Sequence, residues 1–132
     1  MRAVDTNVLV RLLTGEGGAQ VDAAEGYVDG GAWVSQVVLV EAIWVLKSVY
    51  RVPHRQLVTA LELLLDHESL VLQDADVVAE ALARFRRYPK LGFSDCLVLE
   101  IARKAGHVPL GTFDQELAKQ GDVERIDASL AS

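Results

Sequence analysis

The sequence has few of the residues that stabilise small secreted proteins or build zinc sites. It contains one cysteine, Cys96, so no disulfide can form within the chain. The three histidines, His54, His67 and His107, are isolated and lack the spacing of a zinc site. A disulfide-stabilised fold is therefore excluded, and Cys96 is expected to be a small buried residue on a helix.

Long apolar runs are missing as well. No stretch approaches the roughly 18–20 residues that a membrane-spanning helix needs. The first ten residues, MRAVDTNVLV, place an acid where a signal peptide needs an uninterrupted apolar segment. We therefore expect no contact with a membrane and, by default, a cytoplasmic location.

Basic residues are outnumbered, with 13 lysines and arginines against 19 acids and a net charge of −6. An acidic chain is a poor starting point for binding nucleic acid, unless some of its acids hold cations. The chain is 51% hydrophobic and 24% charged, as ordinary globular proteins are. Its 132 residues suit a single domain spanning 1–132.

Predicted strands alternate with predicted helices along the whole chain. The strands cover 2–5, 32–35, 70–73, 108–113 and 123–126. The helices cover 7–13, 19–28, 37–51, 54–67, 74–88, 93–106 and 114–120, with Ser94 as a candidate N-cap. This alternation predicts right-handed crossovers and an α/β fold: a three-layer α/β/α sandwich with a central, mostly parallel sheet of about five strands.

One glutamate interrupts the apolar segment VVLVEAIWVL at positions 37–46. On a helix, the neighbours of Glu41 at three and four residues are Val37, Val38, Trp44 and Val45, and none can pair with a carboxylate. A buried unpaired charge is costly. Glu41 therefore lies at an exposed edge, is protonated, pairs with a distant residue, or binds a metal ion.

Three aspartates occupy the starts of predicted helices, and each has an ordinary structural explanation. Asp5 and Asp114 follow strands and suit helix caps, whereas Asp95 in a first helical turn suits the helix macrodipole. In a parallel α/β sheet, however, ligands bind at the carboxyl ends of the strands, where these positions and the start of the Glu41 helix are expected. Carboxylates gathered there would repel one another unless a divalent cation relieved them, and oxygen ligands favour Mg²⁺ or Mn²⁺.

Four segments in order resemble the successive motifs of PIN domains, and most closely those of VapC toxins from bacterial toxin–antitoxin pairs. They are VDTNVLVRLL, VSQVVLVEAIWVL, GFSDCLVLEIARKAG and LGTFDQEL, spanning Asp5 to about Leu117. The resemblance implies a PIN fold and a Mg²⁺- or Mn²⁺-dependent endoribonuclease. It implies that the catalytic and metal-binding acids are Asp5, Glu41, Asp95 and Asp114. It also implies supporting polar residues at Thr6, Asn7, Ser35 and Thr112.

The resemblance extends to partners. It implies a homodimer and a small VapB-like antitoxin, for which the helices at 37–50 and 54–67 offer an apolar groove, although core packing explains many of the same leucines. For the RNA substrate, the segment RFRRYPK suggests a cationic rim of Arg84, Arg86, Arg87 and Lys90. A solvated helix end explains these residues equally well. Further candidate cations are Arg11, Lys47, Arg51 and Arg103.

Other functions fit parts of the sequence. A PIN nuclease of RNA processing that is not a toxin would carry the same residues, and a catalytically silent PIN-fold binding module would keep the fold without needing four acids. A dehalogenase-like phosphatase would need a second aspartate where Asn7 stands. A receiver domain would need a lysine after a late strand, which the sequence lacks.

Overall fold

The structure is a computed structural model that describes residues 1–128, and it divides into two compact units. The first unit comprises Met1–Asp76 and the second begins at Val77. Among residues 1–128 no helix is long and apolar enough to cross a membrane.

The first unit contains a three-stranded parallel sheet and four helices. Its elements are β1 (Arg2–Ala3), α1 (Thr6–Thr14), α2 (Ala19–Val28), β2 (Ala32–Val34), α3 (Gln36–Ser48), α4 (His54–Asp66) and β3 (Leu70–Leu72). The strands lie in the order β1-β2-β3, with Ala32 opposite Arg2 on one side and Leu70 on the other. Alternate residues of β2 and β3 are buried. The largest wholly buried side chains of this core are Leu9, Val34, Leu39 and Leu61.

The second unit contains two long helices and a two-stranded parallel sheet. Its elements are α5 (Ala75–Arg87, which begins at the boundary), α6 (Phe93–Ala105), β4 (Leu110–Thr112), a 3₁₀ helix (Leu117–Lys119) and β5 (Val123–Arg125). Val78, Cys96 and Leu99 are wholly buried, and the rings of Phe85 and Phe93 meet edge to face at 5.7 Å. The expectation that Cys96 is a buried helix residue is confirmed.

The predicted α/β fold is confirmed, and the five described strands pair in parallel. They form two sheets, of three and two strands, in place of the predicted central sheet of about five. Two local predictions were wrong. The segment 114–120 forms only the 3₁₀ helix Leu117–Lys119, because one turn closes too few hydrogen bonds to hold an α-helix. Ser94 does not cap α6: Gly92 occupies that position, with no side-chain cap bond.

Side-chain caps set where α1 and α3 begin. Asp5 has extended backbone angles and accepts a hydrogen bond from the Val8 amide at 3.0 Å. Ser35 does the same for Val38 at 3.2 Å. Both caps satisfy amides that have no partner inside the helix.

We expect Ser35→Ala to lower the free energy of unfolding by about 1 kcal/mol, because the Val38 amide loses its acceptor. Urea denaturation measures this change. Ser94→Ala is the matched control, since Ser94 makes no cap bond, and it should have a much smaller effect. Equal losses in the two variants would contradict the assignment of the cap.

Candidate active site

Asp5 stands between β1 and α1, with its carboxylate exposed at the N-terminus of the helix. One oxygen, Oδ1, accepts the bond from the Val8 amide at 3.0 Å. The helix macrodipole favours a negative charge at this end. The structural explanation of Asp5 as a cap is therefore correct, and Oδ2 remains available to another ligand.

Glu41 lies on the solvent-facing side of α3. The opposite face of the helix buries Leu39, Ala42, Ile43 and Leu46. Of the alternatives left open by the sequence, the exposed position is the one observed. The Thr6 hydroxyl on α1 donates a hydrogen bond of 2.8 Å to Glu41 Oε2, so the packing of α1 against α3 fixes the carboxylate.

Asp95 and Asp114 form a second pair of acids, in the second unit. Asp95 lies in the first turn of α6, and its Oδ2 is near the backbone of Gly92. Partial burial, and then the negative charge of Asp114, raise the pKa of Asp95 above its ordinary value of 3.8. Within residues 77–128 no lysine or arginine forms an ion pair with either carboxylate. This pair therefore carries an electrostatic cost that a bound cation would relieve.

The turn after β4 determines where Asp114 lies. Its backbone amide donates to Thr112 Oγ1 at 3.0 Å, and its own Oδ1 accepts from the Leu117 amide at 2.9 Å. The hydroxyl of Thr112 thus fixes the backbone of Asp114. In place of the predicted α-helix, a 3₁₀ helix begins three residues later, at Leu117.

Each unit contributes two of the four predicted acids: Asp5 and Glu41 in the first, Asp95 and Asp114 in the second. Among residues 1–128 no group of three or more histidine, cysteine, aspartate or glutamate side chains stands ready to hold a metal ion. The donors nevertheless suit a hard divalent cation, since all are carboxylate oxygens and one pair is electrostatically uncompensated.

The predicted supporting residues have distinct surroundings. Thr6 contacts Glu41, Thr112 holds the Asp114 backbone, and Ser35 caps α3. Asn7 lines a cavity of about 310 Å³ beside Asp5, between α1 and α2. All four residues therefore lie on or beside the segments that carry the acids, and Asn7 also lines the cavity next to Asp5.

The predicted cationic rim needs a correction at Arg84. Its guanidinium is only 15% exposed and donates to Glu100 Oε1 at 2.8 and 3.1 Å and to Gln120 Oε1 at 2.6 Å. Arg86, Arg87 and Lys90 are exposed. The Arg87 guanidinium lies 5.2 Å from the centre of the Tyr88 ring.

Glu100 is a residue that the sequence did not single out. It is 6% exposed, and its Oε1 also accepts a bond from Arg103 at 3.2 Å, while Arg103 pairs with Asp122 at 3.2 Å. This network joins α5, α6 and the segment before β5. The spacing of Glu100 and Arg103 on one helix was its only sequence signal, because Arg84 lies sixteen positions away.

Cys96, beside Asp95, is buried and poorly suited to act as a nucleophile. Burial is the main cause that raises the pKa of its thiol to about 11. The group therefore stays protonated near neutral pH, and only the thiolate form attacks.

Comparison with known proteins yields one family. The model of the PIN domain matches residues 2–123, which span both units. No match was found among curated proteins. Among solved structures, the chain is similar to VapC20 of Mycobacterium tuberculosis, a toxin that cleaves the sarcin–ricin loop. The identity is 21%, the coverage is 94% of this chain and 98% of that chain, and the TM-score is 0.42. On the family match, the chain belongs to the PIN domain family.

Proposed function

We propose that this protein is a Mg²⁺- or Mn²⁺-dependent endoribonuclease that hydrolyses RNA phosphodiester bonds, and that it is the VapC-like toxin of a toxin–antitoxin pair. In this proposal residues 1–132 act as one PIN domain in the cytoplasm. The observation that carries it is the pair Asp95 and Asp114. Burial, and then the negative charge of Asp114, raise the pKa of Asp95, and no lysine or arginine of residues 77–128 forms an ion pair with either carboxylate. Two neighbouring carboxylates with an unfavourable electrostatic energy suit a cation site better than a structural role.

Each acid has its own role in the proposed site. Asp5 and Asp95 are the direct ligands. Asp5 uses only Oδ1 to cap α1, and a bound cation would stabilise the ionised form of Asp95, whose pKa is raised. Glu41, held by Thr6, orients the attacking water. Asp114 anchors the site or binds a second ion. When bound, the divalent cation lowers the pKa of water and stabilises the leaving oxygen.

The RNA has to approach an acidic surface, so nearby cations matter. Arg86, Arg87 and Lys90 are the proposed phosphate contacts, with Arg84 now excluded. Arg87, Tyr88 and Lys90 line a cavity of about 310 Å³ that also includes Lys119. Aromatic and cationic side chains together suit single-stranded RNA.

The proposed partners are a second copy of the chain and a small antitoxin. Exposed apolar residues on α3 and α4 support a partner surface in the first unit. Val37 is 70% exposed, Trp44 63% and Leu63 62%. Large apolar side chains in solvent are suited to a helix-in-groove contact.

The test of the function is to incubate the pure protein with transfer, ribosomal and messenger RNAs. Cleavage is expected with Mg²⁺ or Mn²⁺ and should stop on addition of EDTA. Asp5→Asn and Glu41→Gln should lose activity while staying folded, because asparagine caps α1 as well as aspartate does and Glu41 is exposed. Cleavage that survives EDTA, or that is unchanged in both variants, would refute the proposal.

Thr6 offers a finer test. We expect Thr6→Val to lower the cleavage rate by about 10–100-fold, because Glu41 loses the hydroxyl that orients it. The rate is measured as a function of Mg²⁺ concentration. Thr6→Ser keeps the hydroxyl and should retain most of the activity. If the valine and serine variants cleave equally well, the hydrogen bond has no functional role.

A further inference from the structure

A cavity of about 310 Å³ lies between α1 and α2, directly beside Asp5. Its volume is at the lower end of ligand pockets, which suits one nucleotide rather than several. Its lining includes Asp5, Asn7, Arg11, Gln20, Ala23 and Tyr27. Of the four predicted acids only Asp5 borders this cavity, and the roles proposed for the acids do not involve it.

The cavity combines the groups that proteins use to bind a base of single-stranded RNA. Tyr27 provides an aromatic ring, and the side-chain amides of Asn7 and Gln20 each provide a donor and an acceptor. Within residues 1–76 neither amide is engaged by another side chain. Both are therefore available to the edge of a base.

Two arginines lie at this cavity: Arg11 belongs to its lining, and Arg2 packs on the ring of Tyr27. The guanidinium of Arg2 lies 3.9 Å from the centre of the Tyr27 ring and donates to the backbone carbonyl of Tyr27 at 3.0 Å, so Arg2 packs on one face of the ring. Arg11 donates to the carbonyl of Glu16 at 3.2 Å. Gly17 has a positive φ of 116°, and any Cβ there would collide with the Arg11 guanidinium. The loop after α1 is thus shaped around Arg11, which keeps a cation beside the cavity.

We propose that this cavity binds one nucleotide of the RNA substrate next to the cleaved bond. The base enters the cavity against Tyr27, where Asn7 and Gln20 read its edge, and Arg11 contacts a phosphate. Because Asp5 lies at the border of the cavity, it sets the distance between this base and the reacting phosphate. The cavity is accordingly a source of sequence preference, and the proposal rests on the ribonuclease function above.

The first arm of the test does not need catalysis. Labelled wild-type protein with Mg²⁺ is titrated with each of the four ribonucleoside 5′-monophosphates and followed by NMR. Shift changes are expected in the amides of residues 7–27. Ala23→Leu fills the cavity from an exposed position on α2 and should weaken the binding by about tenfold or more. The matched control is Ala79→Leu, at an exposed position on α5.

The second arm measures cleavage of an RNA pool with randomised positions. Gln20→Leu should reduce the base preference at one position beside the cleaved bond by about tenfold. The inference is overturned if the monophosphates leave residues 7–27 unperturbed, if Ala23→Leu binds them as the wild type does, or if Gln20→Leu keeps the wild-type preference. A wild-type protein that cleaves no RNA refutes the proposed function, while the titration still decides whether the cavity binds nucleotides.

Discussion

Asp95→Asn is expected to lower the rate of RNA cleavage by more than about a hundredfold, because the loss of an outer partner alone costs about 10–100-fold and Asp95 is proposed as a direct ligand. The same substitution should stabilise the metal-free protein near neutral pH. An activity loss together with a stability gain would show that Asp95 serves the site and not the fold.

The pH dependence of this gain follows from the raised pKa of Asp95. Below the ordinary value of 3.8 the carboxyl is protonated in both the folded and unfolded states, so it does not affect stability. As the pH rises, the unfolded state releases this proton more readily than the folded state. The free energy of unfolding therefore falls until the pH exceeds the folded-state pKa, and asparagine avoids this loss.

Urea denaturation of the metal-free protein as a function of pH measures the effect. The gain of Asp95→Asn over wild type should be present at neutral pH and shrink as the pH falls towards the ordinary carboxyl value. Asp29→Asn, at an exposed position, is the matched control. A gain that does not depend on pH would mean that the ionised carboxylate is not the cause.

Glu100→Ala is expected to lower the free energy of unfolding by about 3 kcal/mol, because it leaves the partly buried Arg84 without its buried charge partner. Glu100 is 8% exposed in its side chain and Arg84 15%, and two of the three bonds to Glu100 Oε1 come from Arg84. Among residues 77–128, only Gln120 would remain to accept a hydrogen bond from Arg84. This is the largest stability change that we expect from a single substitution in the second unit.

Two controls separate the buried pair from the exposed ones. Glu116→Ala breaks an ion pair whose lysine is 67% exposed, and it should cost no more than about 1 kcal/mol. The double variant Arg84→Met with Glu100→Leu removes both charges and should recover much of the lost stability. A small effect of Glu100→Ala would show that the network contributes little to the fold.

Local sequence signals predicted most of the elements. The Asp5 cap follows from an aspartate between a strand and an apolar helix, and the five parallel strands follow from the alternation of elements. Signals failed where a segment is short or where a distant residue decides the outcome. The segment 114–120 is too short to form an α-helix alone. The basic run around Arg84 suggests exposed residues, because the sequence does not show that Arg84 pairs with Glu100.

The sequence singled out the residue types of a candidate site, but it could not predict their contacts. The order of the motifs singled out four acids. The hydrogen bond between Thr6 and Glu41, however, joins positions 35 apart in the sequence, and helical or strand periodicity does not predict such a contact. The cavity beside Asp5 could not be predicted from the sequence either. It depends on how α2 packs on α1 and on the conformation of Gly17, neither of which has a short-range pattern.

The proposed function depends on the binding of a divalent cation by the predicted acids, above all Asp5 and Asp95. Its most direct test is the binding of Mn²⁺, measured by calorimetry, to the wild type, to Asp5→Asn, to Asp95→Asn and to the double variant, with Asp29→Asn as the control. We predict that each single variant weakens the same binding event by about tenfold or more and that the double variant loses less than the sum, as residues sharing one ligand do. Wild-type Mn²⁺ affinity in either single variant would contradict the claim.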